Sequence, residues 1–183
     1  MKIANLNGEV LFEIPSSRAR TVDGIVRLED IDLSLADLSG GAFRTLLFTL
    51  GDFDGAQFER SVFQKVEFEG SAMSDVNMTA ATIEEVAFYA VYAYGAKFVG
   101  AKLLKVSFRG SNLSEADFSF AKFEEVFFGK DNTGHKTNLS GANLSNVNLS
   151  DAVFEGVEYD DLTKFPTGFN PTSHRGFERK MSE

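Results

Sequence analysis

Large apolar residues recur at every fifth position along most of this chain, a spacing that fits neither the 3.6 period of a helix nor the period of two of a long strand. From Leu28 the series runs Leu33, Leu38, Phe43, Phe48, Phe53, Phe58, Phe63, Phe68, Met73, Met78, Ile83, Phe88, Ala93, Phe98, Leu103, Phe108, Leu113, Phe118, Phe123 and Phe128; of these 21 positions only Ala93 is small. Two residues before the large one sits a small or β-branched residue, as at Ala56, Val66, Ser71, Val86, Ala101 and Val126, and glycine recurs two residues after it, as at Gly40, Gly55, Gly70 and Gly110. Residues two apart in an extended chain point the same way, so the small and large members of each pentad face inward together. A corner at the fifth residue then resets the alternation, and glycine suits a corner because it tolerates backbone angles other residues resist.

The number of sides per turn is also legible. Valine before the central residue recurs in every fourth pentad, in Val66-Glu67-Phe68, Val86-Ala87-Phe88, Val106-Ser107-Phe108 and Val126-Phe127-Phe128, with Leu46-Leu47-Phe48 ahead of them. Four pentads therefore close one coil. The pattern predicts an all-β, four-sided helix of about six to seven coils, with Phe48, Phe68, Phe88, Phe108 and Phe128 stacked at the roughly 4.8 Å spacing of hydrogen-bonded strands. Each buried Phe contributes about 1.5 to 3 kcal/mol, so these columns are the core, and stability passes from coil to coil as in any solenoid.

The period divides the chain into three parts. Residues 1–27 lack it; Ile3-Ala4-Asn5-Leu6, Asn7-Gly8 and Glu9 to Ile14 read as a β-hairpin that caps the open solenoid end, with Pro15 and Asp23-Gly24 as breakers. Residues 28–161 carry the repeat, broken once by the polar segment 129–136. The step from Phe128 to Leu149 exceeds four pentads by a single position, and Leu149 follows Val147, so one extra residue is expected to restore the columns, making 129–136 a small bulge. Residues 162–183 hold a second cap and, from Ser173 on, a charged tail expected to be mobile.

The pentads Ala36-Asp37-Leu38-Ser39-Gly40, Ser111-Asn112-Leu113-Ser114-Glu115 and Ala142-Asn143-Leu144-Ser145-Asn146 resemble the A(D/N)LXX unit of the pentapeptide-repeat family. The resemblance covers roughly residues 25–161 and implies a right-handed quadrilateral β-helix, in a family that is mostly bacterial. Thr163-Lys164-Phe165-Pro166-Thr167-Gly168-Phe169-Asn170-Pro171 resembles the closing segment of such proteins, with Phe165 and Phe169 covering the last coil. Function does not follow from this fold.

Composition narrows the chemistry. With no cysteine there is neither a disulfide nor a thiolate site, and a reducing compartment is the simplest setting. The start, Met1-Lys2-Ile3-Ala4-Asn5, has no apolar stretch and no segment is long enough to span a bilayer, so a cytoplasmic protein without membrane contact is expected. A formal net charge of −9 argues against direct nucleic-acid binding. Only His135 and His174 are present, neither with a second ligand at metal spacing, and no phosphate-binding glycine motif opens a helix, so no catalytic, cofactor or metal residue is assigned and no enzyme activity is expected.

Two surface features remain as a candidate interaction surface. Tyr89, Tyr92 and Tyr94 occupy outward positions around one corner, with small neighbours one coil away. Exposed aromatics of this kind serve interfaces, although tyrosine is also simply a good strand former. Ala93 between them either leaves a void or marks a slip that turns a tyrosine inward. Asp32, Asp52 and Asp54 fall on one side and Asp37 and Glu59 on the next, a corner-spanning acidic strip. The function expected is therefore a scaffold or interaction module for an unidentified protein partner. The alternative, implied by resemblance to the quinolone-resistance branch of the family, is a DNA-mimicking modulator of gyrase or topoisomerase.

Overall fold

In the computed structural model of the protein, residues 2–5, 7–14 and 16–180 are described; Met1, Leu6, Pro15 and residues 181–183 lie outside the described residues. The period of five becomes a β-solenoid of about eight turns. Ala42–Thr49 and Val62–Glu69 pair in parallel, and each residue meets its equivalent four pentads on, Phe43 with Phe63 and Phe48 with Phe68. The same offset continues through Phe88 and Phe108 to Phe128. Because a parallel ladder joins each coil to the next, every central side chain lands on its counterpart.

Those counterparts form the core. The rings of Phe48, Phe68, Phe88, Phe108, Phe128 and Phe154 stack in one column at 5.0, 5.3, 4.8, 5.1 and 5.2 Å. Neighbouring columns meet edge to face, as in Phe48 against Phe53 at 5.1 Å, the arrangement ring quadrupoles favour. Where the small inward residue is serine, its hydroxyl has a partner: Ser61 donates to the Leu38 carbonyl at 3.0 Å and accepts from the Gly41 amide at 3.1 Å. Ser111 likewise donates to the Phe88 carbonyl at 3.1 Å, so burial leaves no orphaned group there.

The corner is where the period of five originates. Every fifth residue from Asp30 to Glu125 has a φ between 49° and 68°, and most of them are not glycine. The left-handed conformation costs a residue with a Cβ about 1 kcal/mol or more, and the ladder bonds of two adjoining sides offset it. A side chain helps as well: an Asp or Asn before the large residue accepts the amide two positions on, as Asp32 from Ser34 at 3.0 Å, Asn112 from Ser114 at 3.1 Å and Asn143 from Ser145 at 3.1 Å. That bond explains why the repeat favours Asp or Asn at this position.

Three sequence expectations are corrected. Phe128 pairs with Phe154 and Val126 with Ala152, so the interrupted coil runs on to Phe154 instead of closing at Leu149, and Val147 and Leu149 do not continue those columns. The added length forms a built loop. The Asp131 carboxylate accepts from the Thr133 amide and hydroxyl and the His135 amide at 2.8, 2.7 and 2.9 Å, and buried Thr137 ties the loop base to the Phe108 and Gly129 carbonyls. Second, Ser173 onward is not a free tail: Phe177–Arg179 pairs in parallel with Val157–Tyr159, and Phe177 packs on Phe154 at 4.4 Å. Third, the solenoid has about eight turns where six to seven were expected, because it begins ahead of Leu28: Asp23-Gly24, a breaker as expected, turns a further hairpin, Ala19–Val22 against Ile25–Glu29, with both turn residues at positive φ. Its second strand already belongs to the solenoid, since Leu28 pairs with Phe48. Ahead of it, Lys2–Ala4 pairs antiparallel with Val10–Glu13, and Ile3 and Ile14 join the core cluster.

Candidate interaction surface

Four flat faces result, and each can be named by its central residue in one coil: Phe48, Phe53, Phe58 and Phe63. The Phe53 face is built from residues 31–35, 51–55, 71–75, 91–95, 111–115 and 137–141. Its outward ladder is continuous, Asp32 to Asp52 to Ala72 to Tyr92 to Asn112 to Asn138, and runs on to Glu158 in the C-terminal cap. The register does not slip: Ala93 is buried, while Tyr92 and Tyr94 are 53% and 37% exposed and point outward. Ala72 and Ser74 lie on one side of these rings and Asn112 and Ser114 on the other, all small.

The remaining expected residues divide by face. Tyr89 stands across the corner on the Phe48 face, half-buried, and its hydroxyl accepts the Asn132 amide of the loop at 3.3 Å. It is thus tied to the interruption and separated from the other two tyrosines. Asp32, Asp52 and Asp54 share the Phe53 face with Tyr92 and Tyr94. Asp37 and Glu59 lie on the Phe58 face, where Glu59 accepts from the Asn77 side-chain amide at 2.7 Å and approaches Arg60 at 3.8 Å. The Ser34 hydroxyl and amide hold the Asp32 carboxyl below its ordinary pKa, and Ser39 does the same for Asp37. In the opposite direction, a hydrogen bond to Glu115 pushes the Tyr94 phenol up.

Charge separates the faces more sharply than the strip suggested. Over the segments of the Phe53 face just named the sequence places Asp32, Asp52, Asp54, Asp75 and Glu115 and not one Lys, Arg or His. Among the described residues none of these five acids is in an ion pair. The Phe63 face by contrast carries Arg44, Lys65, Lys102, Lys105 and Lys122 among its acids. The acidic stretch ends at the C-terminal cap, where Lys136 and Lys180 approach Glu158 at 3.8 and 3.9 Å and Arg179 pairs with Asp161. Two exposed leucines at the corners bounding this face, Leu35 and Leu50, escaped the sequence reading although their place in the period marks them as corner residues.

A stack of four-sided coils with one pentad to each side and aromatic columns inside defines a repeat solenoid built from pentads. A family model described as a pentapeptide repeat region matches residues 61–136, and one described as pentapeptide repeats (8 copies) matches residues 135–158. The chain belongs to the pentapeptide-repeat family. Similar solved structures include QnrB1, described as a plasmid-mediated fluoroquinolone resistance protein, at 16% identity over 84% of this chain and 81% of that one, with a TM-score of 0.40. They also include alr5209, a pentapeptide repeat protein from Nostoc Pcc 7120, at 23% identity over 70% and 84% with a TM-score of 0.43. HetL of the cyanobacterium Nostoc sp. Strain PCC 7120, described as involved in heterocyst differentiation regulation, is 15% identical over 77% and 81% with a TM-score of 0.30. No curated protein matches the chain. The likeness to these structures is one of fold.

Proposed function

We propose that the protein is a non-enzymatic scaffold that presents the Phe53 face to a protein partner. One observation carries this reading: Tyr92 and Tyr94 are held outward, side by side, on a rigid ladder, with Ala72, Ser74, Asn112 and Ser114 at the equivalent positions of the adjoining coils. Aromatic rings fixed on a stiff sheet offer contact area at little ordering cost, the usual composition of a binding hot spot. The fold does not require either ring at its place, because Asp52, Ala72 and Asn112 occupy the column of Tyr92, and Ser74 and Ser114 that of Tyr94, in neighbouring coils. The test compares proteins retained from an extract of the native host by the wild-type chain and by a Tyr92→Ser/Tyr94→Ser variant with the same melting temperature. A partner retained only by the wild type is expected; identical retained sets would refute the reading.

Mimicry of DNA toward gyrase draws on the same acids and stands second. The acidic Phe53 face favours it, while the bases on the Phe63 and Phe58 faces, among them Lys97, Lys102, Lys122 and Lys164, interrupt the charge that a duplex carries all around.

A further inference from the structure

The Phe53 face has a chemical character specific enough to name what fits it. Its five acids, none of them ion-paired among the described residues, span five successive coils from Asp32 to Glu115, a length of about 19 Å at the spacing of paired strands. The negative charge is not required by the fold. Asp32 and Asp52 each accept an amide two residues on, at 3.0 Å, and Asn112 and Asn138 make the same bond at 3.1 and 3.0 Å in the same column without charge.

Apolar groups border the acids. Leu35 is 80% and Leu50 63% exposed, at φ of 58° and 55°, the left-handed corner that Gly55 and Gly70 occupy one coil further on. A leucine there suffers the corner's strain while most of its side chain stays exposed, so burial offsets little of that cost. Each Leu Cδ2 lies over the glycine of the next coil, which lays the two side chains along the two rims of the face. Leu35 and Leu50 thus flank Asp32, Asp52 and Asp54, and Tyr92 and Tyr94 follow two coils on.

We propose that this face docks a basic, amphipathic segment of a partner protein, its Lys and Arg side chains meeting the five acids and its apolar side chains packing on Leu35, Leu50 and the tyrosines. The inference rests on the scaffold reading and adds the partner's chemistry. Charge complementarity selects the occupant: nucleic acid and anionic lipid are repelled, whereas cations are attracted by the carboxylates and by the faces of the tyrosine rings.

The test uses the full chain and a fluorescent peptide of about 13 residues, the length of a helix spanning this stretch, built of Lys and Leu in an amphipathic order. Companion peptides replace Lys by Glu, or Leu by Ser. Fluorescence anisotropy is followed at about 50 and about 300 mM salt, where screening differs strongly. Only the Lys/Leu peptide is expected to bind tightly, about tenfold or more weaker at the higher salt. A comparable loss is expected in a Leu35→Asn/Leu50→Asn variant and in a variant with the five acids changed to Asn or Gln, both with unchanged melting. Glu67→Gln/Glu69→Gln on the Phe48 face is expected to bind as the wild type does. No binding at micromolar protein, or binding that survives in the Phe53-face variants or falls equally in the Phe48-face control, overturns the proposal. If the peptide fails while capture from host extract still depends on Tyr92 and Tyr94, the scaffold reading stands and this inference alone falls.

Discussion

Ala93 shows how much a single position in the repeat decides. In its coil Phe88 and Phe98 approach edge to face at 6.0 Å, and in the next coil Phe108 and Phe118 do the same at 5.8 Å with Leu113 where Ala93 stands. A leucine is therefore accommodated by the same surroundings one coil away. Ala93→Leu is expected to stabilise the protein by about 1 kcal/mol, raising its melting temperature by a few degrees, as cavity-filling changes commonly do. A clear fall would mean that the space beside Ala93 is already occupied. Asp131 is the other informative residue. Burial pushes its carboxyl pKa up, but the Thr133 hydroxyl, the His135 and Thr133 amides and the His135 ring together outweigh this and hold it at about 2. A depressed pKa stabilises the fold above the ordinary value and loses that contribution as pH falls through the folded value. The stability gap between wild type and Asp131→Asn is expected to be full above pH about 4 and to shrink toward pH 2; a gap independent of pH would contradict the cage. In the sequence Ala93 is conspicuous because it breaks a period. Asp131 is not, because the bonds that matter close within a loop that has no repeat to compare with.

At the level of the coil, periodicity is enough to place the ladder and the four sides, because each pentad repeats the same inward, outward and corner positions. Phe68→Ala is accordingly expected to cost about 3 to 5 kcal/mol, since it removes a ring stacked on both sides. Denaturant unfolding measures it, and a loss near 1 kcal/mol would argue against a continuous aromatic column. Where the period lapses the pattern misleads. Val147 and Leu149 imitate the start of a new column, so spacing alone closes the interrupted coil at Leu149, and only the strand pairing of Phe128 with Phe154 shows the longer path. Phe177 and its neighbours likewise look like a charged tail, because Arg175, Glu178, Arg179 and Lys180 surround a single aromatic. What makes this segment a strand is a partner one coil earlier, Val157–Tyr159, together with Lys136 bonded to Glu178.

For the molecule as a whole, outward residues are set by no packing rule, which is why the acids and tyrosines are legible as residues while the charge of a complete face is not. That property emerges only when pentads one coil apart are laid side by side. The scaffold reading expects no inhibition of gyrase supercoiling at micromolar protein. Salt-sensitive inhibition that vanishes when Asp32, Asp37, Asp52, Asp54 and Glu59 become Asn or Gln would promote DNA mimicry to first place. Outward carboxylates on exposed strands add little stability, so that five-site variant is expected to fold as the wild type does. The most direct measurement places a photo-crosslinking amino acid at one exposed position per face, Tyr92, Glu67, Lys97 and Lys102, in the protein expressed in its own host. A discrete adduct from position 92 and none from the other three is the result expected of a protein that works through its Phe53 face, and adducts from the other faces with none at 92 would contradict it.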